Sequence, residues 1–243
     1  RLILNSQRPA DLAELIPTLE EELPPSIFEV LAEPLAADVL AEMDTPDMLS
    51  LAEELDDEEL SDLVEEMAPD DAADVLGDLP EEQTAKLLEL MEEDEAEEVR
   101  ELLTHEEDTG GGIMNPHLIA VREEMTVADA TAYLREWADE EEVFYIYVVD
   151  EGEKLIGTVP LKRLILSRQE NLIRELTDRD PIAVHTGTDQ EEIAQIFSDY
   201  NLLAVPVVDD EERLVGRVTV DDIVEVMEEE ATEDIYVMAA TSS

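Results

Sequence analysis

The chain contains no cysteine, few basic residues and no long apolar run. Without Cys, disulfides, thiolate zinc sites and cysteine nucleophiles are excluded. The chain has only 14 Lys and Arg against 68 Asp and Glu, which gives a formal charge of −54. Nucleic acid and anionic membranes are normally bound through basic patches, so they are poor partners for this chain. No apolar run reaches the roughly 20 residues of a membrane-spanning helix. We therefore expect a soluble, cytoplasmic chain that does not bind nucleic acid and whose natural partners are cations.

What is present can still build a core. The 243 residues are 44% hydrophobic, enough for one or two folded domains. Three of the basic residues are Lys and eleven are Arg, and an acid excess with so little Lys is typical of halophile-like proteins. The Debye screening length falls from about 10 Å at 0.1 M salt to about 3 Å at 1 M. Concentrated salt would therefore weaken the repulsion between the carboxylates. A metal site must therefore be argued from particular carboxylates rather than from their number.

The first half of the chain, residues 1–108, holds 37 acidic and 4 basic residues and a short repeat. Units that open with Pro or Asp begin at residues 34, 46, 57, 69, 80 and 94. Each has acids in its first turn, where they meet the positive end of a helix dipole, and then apolar residues at i, i+3, i+4 and i+7. Helices this short must pack on neighbours to be stable. The pattern predicts a superhelix of short α-helices with an acidic outer face.

The second half is built twice. Ile119-Ala-Val121 recurs 63 residues later, and Tyr147-Val-Val-Asp150 recurs 59 residues later as Pro206-Val-Val-Asp209. The difference of four residues is expected as extra sequence near 137–142. Each copy reads as strand, helix, two strands around an acidic turn, and helix, which predicts two β-α-β-β-α modules. Three glycines, Gly110–Gly112, separate the halves and form either a linker or a tight backbone feature.

The second half resembles a tandem pair of CBS domains (a Bateman module), most closely in Pro206-Val-Val-Asp209 and in the segment 216–223. The whole chain resembles the cytosolic region of the MgtE magnesium channel family. The most specific segments are the junction from Glu106 to Met114 and the segment from Glu229 to Ile235. The resemblance implies an α plus α/β fold. The implied domains are an acidic helical N domain (1–108), a Gly-rich junction (109–113), CBS domain 1 (114–177), CBS domain 2 (178–229) and the start of a connecting helix (230–243).

That family implies a function as well as a fold. Its cytosolic regions are homodimers, joined through their CBS domains, on the cytoplasmic face of the membrane. A transmembrane domain of the same polypeptide follows them, and it would be absent from this sequence. They close when Mg²⁺ binds between the N and CBS domains and open when it leaves. The resemblance therefore implies a Mg²⁺ sensor that gates a magnesium channel, and not an enzyme.

Magnesium prefers oxygen ligands and keeps several waters, so each site needs only one or two protein carboxylates. The resemblance implies ligands in three places, with Asn201 standing where the family usually has Asp. This neutral amide adds no charge and is expected to weaken one bridge, the one to Asp38. The implied metal ligands are Asp38, Asp70 and Asp74 in the N domain, Gly112 and Ser198 through backbone oxygens, Asn201, Asp222, and Glu230, Glu233 and Asp234 near the end.

Two other classes of function stay open at this stage. CBS domains often bind adenine nucleotides through a Gly-x-x-Thr-x-x-Asp run, which the second copy keeps as Gly216, Thr219 and Asp222. The first copy has Pro160 and Arg163 instead, so at most one ATP-type site per chain is expected. In that alternative the chain is a nucleotide sensor in a salt-adapted protein, and its acidic half docks another protein. An enzyme would need a catalytic pocket, which the sequence does not reveal.

Overall fold

The computed structural model describes residues 4–19, 24–28, 30–137, 143–224 and 226–227. The chain divides into two compact units, Arg1–Thr104 and His105–Ser243. The family-implied limits of the smaller segments stay predictions. Within the described ranges, no helix has both the length and the hydropathy needed to cross a bilayer.

The first unit is a run of short helices, as the repeat predicts. From 34 onwards there is one helix per repeat unit, and each begins within one residue of the predicted start. The described helices are α1 (Pro9–Leu15), α2 (Pro24–Phe28), α3 (Glu33–Ala41), α4 (Thr45–Ala52), α5 (Asp57–Glu65), α6 (Pro69–Asp78), α7 (Glu81–Leu90) and α8 (Glu93–Leu102).

The helices begin where the sequence provides proline or a capping side chain. Pro is the first or second residue of α3, α4 and α6, where its missing N–H costs no helical hydrogen bond. The Asp56 side chain accepts two N–H groups at the start of α5, and Glu59 accepts that of Asp56 in return. Packing then runs between alternate helices: α1, α3, α5 and α7 form one row, and α4, α6 and α8 another. The short helices thus stack mainly on the helix two places away.

The second unit contains two β-α-β-β-α modules, and this prediction is confirmed. Each module has a three-stranded sheet in which the first and second strands are parallel and the second and third antiparallel. A short helix, at 220–224, follows the last strand. The first module comprises β1 (Ala120–Arg122), α9 (Val127–Trp137), β2 (Tyr145–Val149), β3 (Leu155–Pro160) and α10 (Leu161–Leu166). The second comprises β4 (Val184–His185), α11 (Gln190–Tyr200), β5 (Ala204–Val208) and β6 (Leu214–Thr219).

The four extra residues of the first copy lie between its helix and its second strand. Helices α9 and α11 have 11 residues each. The connection to the next strand spans 138–144 in the first copy but only 201–203 in the second. The predicted position of the extra sequence is therefore confirmed.

The acidic turns of the two copies are built alike. The side chains of Asp150 and Asp209 each accept two backbone N–H groups of the following turn, at 2.8–3.0 Å. Glu153 and Glu212 both adopt left-handed backbone conformations, with φ of 64° and 65°. The two turns also pair with each other, since each glutamate carbonyl accepts an N–H from the opposite copy at 3.0–3.2 Å. The repeated Asp therefore stabilises the turn by which the copies meet.

Each module also receives an edge segment from outside itself. Asn115, which precedes β1, exchanges two backbone hydrogen bonds with Arg217 on β6. Asp178, which precedes β4, exchanges two with Thr158 on β3. The modules are thereby joined reciprocally, each sheet being completed by the chain that leads into the other.

Candidate metal and nucleotide sites

Two of the carboxylates expected to bind metal lie on α6. Asp70 follows Pro69 in the first turn and is 8% exposed, whereas Asp74 is exposed. Their spacing places them one above the other on the helix, but their exposure differs. Asp74 is thus the more accessible carboxylate, and Asp70 also meets the positive end of the α6 dipole.

Asp38 lies in the middle of α3 between buried alanine and valine residues. Its side chain is exposed, yet desolvation by the surrounding protein raises the pKa of its carboxyl above the ordinary value. A partly desolvated carboxylate has lost some of its water shell. A nearby cation would therefore stabilise its charged form.

The glycine junction, Thr109–Ile113, is a tight backbone feature rather than a free linker. The N–H groups of Gly110 and Gly111 donate to the carbonyls of Thr188 and Thr186, at 2.7 and 2.8 Å. The N–H of Gly112, the residue with the candidate backbone ligand, donates to Thr109 O at 2.9 Å. The segment that joins β4 to α11 thus holds the junction in place.

Sequence reasoning missed this partner segment, Thr186–Asp189, which we call the β4–α11 loop. The junction contacts it through backbone atoms, including an antiparallel bridge between Thr109 and Asp189. Backbone pairing carries little side-chain signature, and the run of three glycines was the only available signal.

Ser198 and Asn201 lie at the carboxyl end of α11. Asn201 ends the helix in the left-handed conformation, with φ 52° and ψ 49°, and its N–H donates to Phe197 O. Asn tolerates this conformation better than most residues. Both residues are exposed, and the carbonyls of a final helical turn carry the negative end of the dipole. This helix end can therefore offer neutral oxygen atoms to a cation.

Asp222 is half-buried and tied to Thr219. Its Oδ2 accepts the backbone N–H and the hydroxyl of Thr219, both at 2.8 Å. The Thr219 hydroxyl also contacts the Asp221 carboxylate. Burial raises the pKa of Asp222, these hydrogen bonds lower it, and the net shift is upward. Thr219 and Asp222 of the predicted run thus form one local hydrogen-bonded unit at the end of β6.

The first copy has lost this unit. Pro160 replaces the threonine, and Arg163 replaces the aspartate and donates to the Leu176 carbonyl at 2.8 Å. A guanidinium engaged with its own module cannot do what a ribose-binding carboxylate does. The expectation of at most one ATP-type site per chain stays a prediction.

Glu230, Glu233 and Asp234 lie outside the described residues. Among the residues that the structure does describe, no three His, Asp or Glu side chains converge on one point. A hydrated Mg²⁺ needs only one or two carboxylates, so exposed acids such as Asp74 and Asp38 fit it.

Comparison with known proteins identifies the two units. The MgtE intracellular N domain matches residues 7–108, and the CBS domain matches residues 110–170 and 173–229. The "Magnesium transporter MgtE" of Thermus thermophilus is 47% identical over 137 residues, which is 56% of this chain and 30% of that protein. That of Enterococcus faecalis is 40% identical over 131 residues, 54% of this chain and 29% of that protein.

Solved structures match over nearly the whole chain. The cytosolic domain of the Mg²⁺ channel MgtE in complex with ATP is 36% identical, with a TM-score of 0.88, over 93% of this chain and 92% of that one. The soluble part of a magnesium transporter is 34% identical, with a TM-score of 0.86, and the match covers 95% of this chain and 91% of that one.

A helical domain followed by paired CBS modules defines a class of regulatory region, not an enzyme. The chain belongs to the MgtE family and corresponds to its cytosolic region. It spans about 30% of the length of the curated relatives it matches.

Proposed function

We propose that the chain senses Mg²⁺ and gates a magnesium channel or transporter of which it is one part. The observation that carries the proposal is its 36% identity, over 92% of that chain's length, to a cytosolic domain described as part of a Mg²⁺ channel. The remainder of the polypeptide would supply the transmembrane domain, with this region at the cytoplasmic face of the membrane.

The proposed switch is a balance between repulsion and coordination. Residues 1–108 and 109–243 carry formal charges of −33 and −21, so the two parts repel each other when no cation is bound. Mg²⁺ held by oxygen atoms of both parts would offset that repulsion and favour a closed state. A ligand shifts such an equilibrium only as far as it binds one state better, so ligands from both parts are essential to the proposal.

Individual residues have distinct roles in this proposal. Asp74 and Asp38 supply accessible carboxylates, and Asp70 supplies a buried one on the same helix as Asp74. Asp222 supplies the carboxylate of the second module, held in orientation by Thr219. The neutral oxygens proposed as ligands are those of Gly112, Ser198 and Asn201, and the remaining proposed ligands are Glu230, Glu233 and Asp234.

A homodimer through the CBS modules is also proposed. Ile165 on α10 and Val224 on the closing helix of the second module occupy equivalent positions and are 67% and 51% exposed. Leu166 and Met227 beside them are 76% and 55% exposed. Large apolar side chains repeated on both closing helices fit burial against a second copy, because burying each stabilises by about 1.5–3 kcal/mol.

Calorimetric titration of Mg²⁺ into the full chain, in concentrated KCl that screens general repulsion, tests the ligand assignments. Asp70→Asn and Asp222→Asn should each weaken Mg²⁺ binding by roughly tenfold or more, since each removes a charged oxygen ligand. Glu81→Gln is the matched control, because Glu81 is also a first-turn acid of a short helix but is not a proposed ligand. Equal losses in all three variants would mean that general charge, and not ligation, governs binding.

The alternative function is sensing of an adenine nucleotide, with the helical unit as a docking domain in a salt-adapted protein. It is favoured by the ATP bound to the related cytosolic domain and by the Thr219–Asp222 unit. Stabilisation by ATP in a thermal shift assay, lost in both Thr219→Ala and Asp222→Ala, would support it. Loss in Asp222→Ala alone would not, because Asp222 is also a proposed metal ligand.

A further inference from the structure

We infer that the pairing of the glycine junction with the β4–α11 loop positions the Gly112 carbonyl as a Mg²⁺ ligand. This inference rests on the proposed function and adds positioning residues to it. Helix α8 ends at Leu102, only a few residues before the junction. The pairing therefore fixes the backbone of the junction against the second CBS module soon after the chain leaves the helical unit.

Several hydrogen bonds hold the junction along its length. Besides the two from Gly110 and Gly111 to the loop, the N–H of Gln190 donates to Asp108 O at 3.0 Å. Within the junction, the N–H groups of Gly112 and Ile113 both donate to Thr109 O, at 2.9 and 3.0 Å. Gly112 thus lies in a turn that is anchored directly before it, and its peptide group has a defined orientation.

Close approach explains why the junction consists of glycines. No described glycine has a positive φ, so backbone conformation does not demand them. A Cβ on Gly110 would lie 2.8 Å from His185 O, and one on Gly111 would lie 2.6 Å from the His105 ring. A Cβ on Gly112 would collide with the carbonyls of Glu106 and Glu107. A side chain at Gly110 would push the junction away from the end of β4, whereas side chains at Gly111 and Gly112 would collide with residues 105–107, which lead into the junction.

The orientation of the Gly112 peptide group is important for Mg²⁺ binding, because Mg²⁺ requires near-ideal octahedral geometry. A neutral carbonyl contributes to such a site only if its oxygen is already in place. Residues that orient a metal ligand typically alter metal affinity by about 10–100-fold when they are changed. Gly110, Gly111, Thr186 and Thr188 are therefore positioning residues, although none is itself a proposed ligand.

Four variants of the full chain, with a fifth as a reference for stability, test this inference. Gly110→Ala forces a Cβ against the His185 backbone and should open the pairing. Gly187→Ala is the matched control in the same loop, since a Cβ there meets nothing within 4 Å. Gly111→Ala should disturb the pairing through the His105 ring, and adding His105→Ala should restore it.

Two readouts separate positioning from simple destabilisation: Mg²⁺ affinity by calorimetry in concentrated KCl, and amide hydrogen exchange at 110 and 111. Gly157→Ala serves as a destabilised reference, because its Cβ would meet Asp178 O, which belongs to neither the junction nor the β4–α11 loop. We expect roughly tenfold weaker Mg²⁺ binding and faster exchange in Gly110→Ala, recovery of affinity in the double variant, and unchanged affinity in Gly187→Ala and Gly157→Ala.

The possible failures are distinguishable. Unchanged affinity in Gly110→Ala with wild-type chain still binding Mg²⁺ would overturn the positioning role but not the proposed function. A loss of Mg²⁺ affinity in Gly157→Ala as large as that in Gly110→Ala would also overturn the positioning role, because lower stability alone would then explain the loss. Failure of the wild-type chain to bind Mg²⁺ in KCl would contradict both proposals.

Discussion

Asn115 and Arg217 exchange two backbone hydrogen bonds, 2.8 and 2.9 Å long, although 102 residues separate them. Thr158 and Asp178 exchange a corresponding pair, of 3.0 and 2.9 Å, between the other lead-in segment and the other sheet. Each CBS module therefore depends on chain that leads into its neighbour. The two modules are thus joined at both sheet edges, and the stability of the tandem pair depends on both exchanges.

This dependence predicts that Gly157→Ala destabilises the second unit. A Cβ at this position would collide with Asp178 O, so the pairing of β3 with the lead-in segment must shift. Overpacking of this kind costs about 1–3 kcal/mol. Thermal or urea unfolding of the full chain measures it, with Gly187→Ala, which has open space around it, expected within about 0.5 kcal/mol of wild type. Equal stability of the two variants would mean that the exchange of edge segments is dispensable.

Asp222 is predicted to make stability depend on pH. Its pKa is raised on folding, so the folded chain holds this proton more tightly than the unfolded chain does. The stability of the wild type relative to Asp222→Asn should therefore fall as pH rises from the ordinary value of 3.8 through the raised pKa, and stay lower above it. Urea unfolding across that pH range is the measurement. A stability difference that grows with pH in favour of the wild type would contradict the upward shift.

Glu95 is predicted to destabilise the helical unit when ionised. Desolvation and the neighbouring Glu65 and Glu92 raise its pKa. Glu92 lies three residues before it at the start of α8, and like charges at this spacing cost about 0.2–0.5 kcal/mol. Glu95→Gln should therefore raise the thermal midpoint slightly at neutral pH and low salt. This gain in thermal midpoint should shrink in concentrated KCl, and also as pH falls through the raised pKa of Glu95 towards 4.5. A gain that depends on neither salt nor pH would exclude charge repulsion as its cause.

Leu166→Asp is predicted to dissociate the proposed dimer. The substitution removes two copies of this exposed leucine from a twofold interface, and burial of each contributes about 1.5–3 kcal/mol to association. The dissociation constant of the dimer should therefore rise by roughly a hundredfold or more. Sedimentation velocity in concentrated KCl reports the change. Leu90→Asp is the control, since Leu90 is 44% exposed on α7 of the helical unit, and it should stay dimeric. A dimer that survives Leu166→Asp would place the interface elsewhere.

Local patterns predicted much of the fold. Proline and acids at each helix start predicted α3–α8 to within one residue, because caps and the dipole act locally. The repeated motif ending in Asp150 and Asp209 predicted two equal modules, and the structure shows that these aspartates build the same turn. The reciprocal edge pairing was not predictable, because backbone hydrogen bonds at Asn115 and Asp178 do not constrain side-chain type.

The candidate sites were predicted less completely than the fold. Spacing placed Asp70 and Asp74 on one helix, but it could not show that Asp70 is buried while Asp74 is exposed, because burial depends on tertiary packing. The glycine run was ambiguous until its contacts with the β4–α11 loop were seen. The replacement at Arg163 could be read from the motif, whereas its bond to Leu176 O depends on tertiary structure. Ligation itself stays a prediction for every candidate residue.

Small-angle scattering during Mg²⁺ titration, at a fixed high concentration of KCl, tests the central claim most directly. Because KCl already screens general repulsion, the account predicts that the radius of gyration still falls on adding millimolar Mg²⁺, and that further KCl does not reproduce the fall. Compaction produced equally by KCl alone, or no change with Mg²⁺, would contradict a switch closed by magnesium coordination.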